Sequence, residues 1–470
     1  MNEFQKRLEE LNAEIWEASE LRFREFRSAA ALVSFLREEG FEVTEGVADM
    51  PTAFIARAGS GRPAVGLLAE YDALSGLSQK AGVTWPEPVE GRESGHGCGH
   101  SLFGTGIVEA AVLLRNRLRE EGREGTVVVY GCPAEEGGSG KAYMARAGLF
   151  DEVDAAITWH PSTMNEVVTG SSNANCQAYF RFKGVSAHAA GAPQKGRSAL
   201  DAVELMNVGV NYLREHMEQE ARIHYAVLDT GGTSPNVVQS HAEVLYLVRH
   251  VNVEKALALY ERVCDVARGA AMMTGTKVEI AFDKACSDLL PNEPLEKLLY
   301  ECMLAEKLPE YTEEEQEFGR KMQETVISWD PAESRSVKRL PAALREQTAD
   351  RLREKPFPEF VMPYFHFDTV SSAGSTDVGD TSYAVPTGQI HTATFAVGCP
   401  GHSWQYTAQG KSSTALKAMD YAARVMALAG YRLMTEPDRL ADAKEDFRVR
   451  TGGKPYHCAI PAELLPGRPR

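Results

Sequence analysis

The chain is long enough for several domains, and its composition excludes some classes of function. It has 470 residues, of which 43% are hydrophobic and 25% charged, as is usual for a globular protein with a large core. A formal net charge of −16 with no basic stripe argues against nucleic-acid binding. No apolar run reaches 18 residues and the N-terminus is polar, which argues against a membrane-spanning helix and a signal peptide.

The first third of the chain predicts alternating helices and strands. Apolar residues at helical spacing predict helices over 4–19, 28–39, 103–119 and 141–149. Short apolar runs predict strands over 53–56, 64–68, 126–130 and 155–158, with a Gly-, Pro- and Ser-rich loop over 75–95. This alternation predicts an α/β domain with a mostly parallel sheet and helices on both faces.

The pattern changes near residue 175 to that of a smaller α+β domain. Strands are predicted over 177–182, 242–248 and 277–282, helices over 198–215 and 253–272, and a further candidate strand within 223–238. This order matches the split βαβ, ferredoxin-like plan. We therefore expect 176–285 to be a separate domain inserted into a larger one made of 1–175 and 286–470.

The last third begins with a charged segment and ends with a polar tail. Clusters of Glu and Arg over 305–360, interrupted by prolines, predict a helical insertion at the surface. Residues 362–470 return to strands and glycine loops, with a strand over 393–398 and one clear helix over 412–429. The final fifteen residues are polar and Pro-rich.

A glycine-rich run at 95–100, Gly-His-Gly-Cys-Gly-His, is the strongest chemical signal in the chain. The eight cysteines are scattered, which indicates a reducing, cytoplasmic environment and mostly inert thiols. Cys98 is the exception because His96 and His100 flank it at metal-ligand spacing. Glycine lets the backbone bend sharply, so that a thiolate and an imidazole two residues apart can bind one metal ion.

Other candidate ligands follow predicted strands. Glu135 and Glu136 come after the strand at 126–130, His160 follows 155–158, and His402 lies in a glycine turn after 393–398. Ligands of open α/β sheets gather at the carboxyl ends of strands. Each residue also has a plainer interpretation, a solvated acidic turn or a hydrogen-bonded structural histidine. Together they give five candidate ligands, one more than a closed structural zinc site holds, and this favours a two-metal centre. The five are Cys98, His100, Glu136, His160 and His402.

Four motifs, in their order and separation, resemble the metal-dependent aminoacylase/carboxypeptidase-G family over about residues 5–430. They lie at 95–100, 133–138, 374–380 and 401–411. Within that family the chain is most similar to the amidohydrolase subfamily, and there to the B-type branch of the aminobenzoyl-glutamate hydrolases. The subfamily often has Asp where this chain has Ser101.

The resemblance implies a set of roles around two divalent metal ions. It makes Cys98 the ligand that bridges the ions and Glu135 the general base, and it leaves Asp72 to orient a ligand. The remaining metal ligands that it implies are His100, Glu136, His160 and His402. No family position matches His96. A thiolate favours Zn²⁺, whereas the subfamily resemblance points to Mn²⁺.

For the inserted domain the resemblance implies a lid and dimerisation domain. His188, within 184–190, would polarise the scissile carbonyl, often from the opposite subunit. Asn236, within 231–238, and Arg249 would hold the substrate carboxylate, for which Arg offers a planar fork. The plainer interpretation of Arg249 is a surface residue at a strand end. The implied assembly is a homodimer, or a hetero-oligomer with an A-type subunit.

The activity that the resemblance implies is hydrolysis of the amide bond of an N-acyl amino acid, N-acyl-glutamate-like, by a metal-activated water. A dipeptidase or aminoacylase of different substrate range remains open, as does an assembly partner in a hetero-oligomeric hydrolase. A cysteine hydrolase using Cys98 and a structural zinc protein are two further alternatives. The cysteine hydrolase leaves the adjacent carboxylates Glu135 and Glu136 without a role, and a structural zinc protein would hold one ion tightly without catalysis.

Overall fold

The computed structural model describes residues 3–372 and 374–467. The strands, in chain order, are β1 (Glu42–Glu45), β2 (Phe54–Ser60), β3 (Ala64–Ala69), β4 (Leu74–Ser75), β5 (Ser94–Gly95), β6 (Gly125–Gly131), β7 (Ala155–Ser162), β8 (Glu166–Val167), β9 (Ser171–Ser172), β10 (Ala174–Lys183), β11 (Arg222–Asp229), β12 (His241–His250), β13 (Lys277–Cys286), β14 (Val370–Ser372) and β15 (Thr387–Ala393).

The helices fall between these strands and after them. In chain order they are α1 (Glu3–Ala18), α2 (Phe26–Glu38), α3 (His100–Glu120), α4 (Gly140–Arg146), α5 (Ala199–Leu213), α6 (Val253–Thr274), α7 (Glu293–Ala305), α8 (Glu313–Glu324), α9 (Arg335–Arg339), α10 (Ala342–Glu354), α11 (Val378–Ser382), α12 (Trp404–Gln409), α13 (Ser413–Thr435) and α14 (Pro437–Thr451). Within the described ranges, none of them is both long and apolar enough to cross a lipid bilayer.

The chain forms two compact units. The first contains the residues up to Gly170 together with Leu290–Thr369 and Thr381–Tyr456. The second contains Ser171–Leu289, the segment from Val370 to Asp380 and the tail from His457. The second unit takes in more of the chain than the predicted 176–285, because two later segments return to it.

The first unit is built on a largely parallel sheet, as predicted. Its strand order is β1-β2-β6-β3-β7-β15-β8. The four central strands β6, β3, β7 and β15 run parallel, and the pairs at the edges are antiparallel. Every residue of β3 is buried, which is expected when helices cover both faces of a parallel sheet. The helices α3 and α13 pack against these strands and against each other.

The second unit contains a four-stranded antiparallel sheet in the order β11-β12-β10-β13. With α5 after β10 and α6 after β12, the chain order is strand-helix-strand-strand-helix-strand, the ferredoxin-like plan that the sequence predicts. The candidate strand within 223–238 is β11. Its partner β12 alternates buried and half-buried residues, as is typical of a strand with one face toward a core.

The strand predicted over 393–398 is wrong, because the strand β15 ends at Ala393. Phe395, Ala396 and Val397 are completely buried, which explains the strand-like apolar run. Their backbone is satisfied outside any sheet: the N–H of Phe395 donates to the carbonyl of Ser162, and that of Val397 to Pro356. A buried loop with satisfied backbone groups therefore resembles a strand in sequence.

Two further boundaries differ from the prediction. The strand β7 continues past residue 158 to Ser162, so that His160 lies within the strand and not after it. Beyond Ile157 the ladder pairs β7 with β15 and no longer with β3, and the missing N–H of Pro161 is tolerated there. The helix predicted from 103 begins at His100.

The charged segment 305–360 contains the helices α8, α9 and α10, in line with the predicted helical insertion. Val337 and Leu352 of these helices pack with Phe360 and Val397 in a small cluster of buried residues. The sequence analysis did not predict the helices α7 and α14.

Candidate metal centre

The run at 95–100 forms a tight turn that ends where α3 begins. Gly99 precedes the helix with φ of +82°, a left-handed conformation that favours glycine. A Cβ atom at Gly99 would lie 2.9 Å from Phe395 Cζ and 2.9 Å from Pro161 Cβ. The turn therefore packs directly against the end of β7, where it brings Cys98 and His100 close to His160.

His160 presents one ring nitrogen to the thiol of Cys98. Its Nδ1 atom lies 2.7 Å from the carbonyl oxygen of Pro161, so Nδ1 carries the proton and donates it to that carbonyl. Its Nε2 atom then has a free lone pair and lies 3.4 Å from Cys98 Sγ. This is the tautomer in which a histidine binds a metal through Nε2.

The residues Glu136 and His402 meet from two loops. Glu136 follows β6, after Ala134, whose φ is +61°. His402 also has a positive φ of +54°, and its N–H donates to the carbonyl of Gly97 at 2.9 Å. Glu136 Oε1 lies 3.4 Å from His402 Nε2. Strained backbone at both loops is typical of functional sites, where the surrounding structure stabilises it.

The donor atoms form two groups that share one residue. Cys98, His100 and His160 form the first, and Cys98, Glu136 and His402 the second; within each group all donor atoms lie within 4.8 Å of one another. The structure thus brings together all five candidate ligands, with Cys98 common to both groups. A third group of the same kind contains Glu70, His100 and Glu135.

The candidate ligands fit bound cations, because two of their buried donor atoms lack good hydrogen bonds. His100 Nε2 and Glu136 Oε1 are buried, and in the described parts of the chain neither makes a hydrogen bond of good geometry; each only faces another candidate ligand atom, at 3.3 Å and 3.4 Å. Leaving a buried polar atom unsatisfied costs about 1–3 kcal/mol. One thiol, three imidazoles and one carboxylate are the ligand types that bind Zn²⁺ and similar divalent ions.

Burial and mutual repulsion perturb the acidic groups. Burial, and then the charge of Glu70, raise the pKa of Glu135 to about 7. Burial, and then the charge of Glu135, raise the pKa of Glu136 to about 8. Burial would lower the pKa of His100, but Cys98 and Asp72 raise it well above its usual value. The site favours positive charge, as a metal centre requires.

Asp72 connects two of these groups. One of its oxygens accepts a hydrogen bond from His100 Nδ1 at 2.9 Å, and the other accepts one from the N–H of Glu136 at 2.9 Å. Burial would raise the pKa of Asp72, but these bonds lower it below its usual value. A carboxylate in this position orients the imidazole so that Nε2 faces the donors.

His96 lies apart from the donor groups. It is buried, and its Nε2 lies 3.0 Å from the carbonyl oxygen of Ile15. Burial lowers the pKa of His96 to about 4, so it is neutral at physiological pH. Its role is structural: it connects the glycine-rich turn to α1.

Sequence reasoning missed a buried ion pair beside the donors. Lys141 is completely buried, and its Nζ lies 2.6 Å from Glu70 Oε1. Glu70 comes directly after β3, and its other oxygen lies 3.3 Å from His100 Nε2. A lysine among the small and apolar residues of α4, close after Glu135 and Glu136, is the signal that could have drawn attention to it.

The three predicted substrate residues all belong to the second unit. His188 is exposed, and its Nδ1 accepts hydrogen bonds from the N–H groups of Ala190 and Gly191 at 3.2 and 3.1 Å. The neighbouring N–H of Ala189 donates to the carbonyl of Asn236, which places the two predicted loops side by side. Arg249 lies on β12 and donates to Ser375 Oγ at 2.8 Å.

Comparison with known proteins gives the family. Residues 66–449 match the sequence model of the family described as "Peptidase family M20/M25/M40". The chain is 46% identical to the B-type subunit of the p-aminobenzoyl-glutamate hydrolase of Escherichia coli K12, over 98% of this chain and 96% of that protein. It is 28% identical to the Xaa-Arg dipeptidase of Mus musculus, over 96% and 91% of the two chains.

Among solved structures, it is similar to a crystal structure from Bacillus subtilis described as a dinuclear metal-binding peptidase of family M20. The TM-score is 0.56 and the sequence identity 19%, over 92% of this chain and 99% of that one. The similarity of fold agrees with the match to the sequence family. The chain therefore belongs to peptidase family M20/M25/M40, and it is a hydrolytic enzyme that acts on amide bonds.

Proposed function

We propose that this hydrolase is a two-metal amidohydrolase that cleaves N-acyl amino acids, with aminobenzoyl-glutamate and related N-acyl-glutamates as the substrate class. The observation that carries the proposal is the pair of donor groups that share Cys98, with the carboxyl of Glu135 next to them. The substrate class is supported by the 46% identity to one subunit of a p-aminobenzoyl-glutamate hydrolase over nearly the whole chain.

In this proposal Cys98, His100 and His160 would hold one divalent ion, and Cys98, Glu136 and His402 would hold the other, as Mn²⁺ or Zn²⁺. Such ions, when bound, supply positive charge that favours deprotonation of the attacking water and stabilises negative charge on the amide oxygen. Cys98 would bridge them. Asp72 holds the His100 ring in the orientation that its ligand role needs.

Glu135 is the proposed general base. It accepts a proton from the water that attacks the amide carbon and returns that proton to the departing amine nitrogen. A donor atom of its carboxyl group lies within 4.8 Å of one of His100, which supports this role beside the proposed ions. The products are a carboxylic acid and a free amino acid.

The second unit supplies the proposed substrate contacts. Arg249, with its planar guanidinium group, would pair with the carboxylate of the amino-acid part of the substrate. Asn236 would donate to the same carboxylate. His188 would donate to the amide oxygen as negative charge develops there. Exposure of His188 and Asn236 supports a role in binding something outside their own unit's core.

A homodimer formed through the second unit is the proposed assembly. The strand β11 lies at the edge of its sheet and exposes Tyr225, Val227 and Leu228, while α5 exposes Val208 and Tyr212. An exposed apolar edge strand is a template for pairing with another chain. The alternative is a hetero-oligomer in which an A-type subunit binds this surface.

All eight cysteines are free thiols, which supports the cytoplasm as the proposed location.

Kinetics and metal analysis of the purified chain test the proposal. We expect two divalent ions per chain and hydrolysis of aminobenzoyl-glutamate in a panel of N-acyl amino acids. Glu135→Gln should keep both ions but lower kcat by a factor of about 10²–10⁴, whereas the exposed control Glu124→Gln should change neither.

Several results would contradict it. Near-normal turnover by Glu135→Gln would show that Glu135 is not the general base. Activity that resists chelators but is lost on thiol alkylation would favour a cysteine hydrolase. One tightly held ion without catalysis would favour a structural zinc protein. Activity that appears only after an A-type subunit is added would make the chain an assembly partner.

A further inference from the structure

The buried Lys141 is placed by a close backbone contact with the loop that carries Glu135. The helix α4 begins at Gly140, and a Cβ atom there would fall on the carbonyl oxygen of Pro133. Only glycine permits this approach. The position of Lys141 is thereby tied to that of Glu135, two residues after Pro133. The ammonium group of Lys141 then reaches Glu70 Oε1 at 2.6 Å.

Glu70 extends this contact to the donor groups. Its Oε2 lies 3.3 Å from His100 Nε2, and Glu70, His100 and Glu135 form a group whose donor atoms are all within 4.8 Å of one another. This third group has two carboxylates and an imidazole, which are metal ligands by chemistry. An ion bound there would coordinate Glu135 and so take away the base.

A fixed positive charge distinguishes the third group from the other two. Lys141 forms an ion pair with Glu70, whereas the described contacts include no pair between Lys or Arg and any donor of the two groups that share Cys98. An ammonium group a few ångströms away repels a divalent cation strongly in a buried environment. It also satisfies the carboxylate that such an ion would need.

We propose that Lys141 is a positioning residue whose ammonium group, held by Glu70, takes the place of a cation in the Glu70–His100–Glu135 group. Divalent ions then bind only in the two groups that share Cys98, and Glu135 stays free to move a proton. The inference rests on the proposed function, since it concerns where the metals of that function bind. In this proposal Lys141 acts through Glu70.

Titration of the metal-free protein with Mn²⁺, followed by calorimetry, tests this inference. The wild type should bind two equivalents. Lys141→Met should bind a third, weaker equivalent, and excess Mn²⁺ should lower its kcat by about tenfold or more while KM changes less than about twofold. Glu70→Gln with Lys141→Met should return to two equivalents. Lys80→Met, which removes an exposed lysine paired with Glu87, is the control and should bind two.

Two equivalents in Lys141→Met with an unchanged kcat would overturn the inference and leave Lys141 a merely structural residue. If Lys141→Met does not fold, the double variant is compared with Glu70→Gln alone, because both lack the buried carboxylate charge. The same stoichiometry and a kcat within about twofold support action through Glu70; a further tenfold loss overturns it. The Mn²⁺ stoichiometry of the wild type is measured first. A wild type that does not bind two ions refutes the proposed function, and not the inference about Lys141.

Discussion

Replacing Gly99 by alanine should destabilise the first unit by more than backbone strain alone. Gly99 has φ of +82°, and its Cβ would meet Phe395 and Pro161 at 2.9 Å. A left-handed alanine costs about 1–2 kcal/mol. Overpacking adds about 1–3 kcal/mol, because the added Cβ would press against the completely buried Phe395. We therefore expect a loss of about 2–5 kcal/mol in the free energy of unfolding.

Gly122 offers a matched control at the other end of the same helix. It also has a positive φ, +61°, but a Cβ there would meet nothing within 4 Å. Gly122→Ala should cost only the strain of about 1–2 kcal/mol. Both substitutions reduce the entropy of the unfolded chain alike, so that their difference isolates the close packing behind Cys98 and His100.

Urea unfolding followed by tryptophan fluorescence measures this difference. All five tryptophans, at 16, 85, 159, 329 and 404, belong to the first unit, so the signal reports on the unit that contains both glycines. The measurement uses metal-free protein, since bound ions would add their own stabilisation. Equal losses in Gly99→Ala and Gly122→Ala would refute the reasoning, because they would show that the turn does not need its contact with Phe395 and Pro161.

Three further predictions concern the donors, a buried acid and the sheet edge. Cys98→Ser should weaken Mn²⁺ or Zn²⁺ binding by at least about tenfold, and His96→Ala by less; calorimetry that gives the reverse ranking would refute the assignment of Cys98. Burial, and then the charge of Asp420, raise the pKa of Glu109 from 4.5 to about 8. The folded protein then keeps a proton that the unfolded chain loses above about pH 4.5, so stability is lost as the pH rises toward 8. Urea midpoints at pH 6 and pH 9 should show this loss in the wild type and a smaller one in Glu109→Gln, and an equal loss in both would exclude Glu109 as its source. Leu228→Lys, at the exposed edge of β11, should convert the proposed homodimer to monomer in sedimentation velocity. A variant that still sediments as a dimer would place the contact elsewhere, and a wild type that sediments as a monomer would refute the dimer.

That the candidate donors lie close together could be predicted from sequence, because the topology of the parallel sheet largely determines where they lie. Parallel strands end at one edge of the sheet. Residues after β6 and at the end of β7 are therefore close together, independently of the conformation of the loops. Glycines around Cys98 indicate a turn tight enough to reach that edge. Residue type then restricts the chemistry, since a thiol, imidazoles and carboxylates in one place have few common uses.

Other features depend on tertiary contacts that leave no local pattern. The run at 393–398 reads as a strand because Phe395 and Val397 are buried, but their N–H groups bond to distant carbonyls that no window of sequence contains. The proposed role of Lys141 depends on Glu70, which is far from it in sequence. The apolar surroundings of Lys141 in α4 indicate burial but do not name its partner. The boundaries of the second unit also follow from long-range packing, which is why 370–380 could not be assigned to it.

The placement of the donors along the chain has a consequence for cooperativity. Cys98 and His402 are separated by about two thirds of the chain, and Ser171–Leu289 of the second unit lies entirely between them. An ion held by both would act as a reversible crosslink that closes a very long loop, and the entropy of closing a loop grows only slowly with its length. Because the unfolded chain has no preformed site, the free energy of metal binding adds to that of folding. Metal supply would then set how firmly the two sequence-distant halves of the first unit hold together.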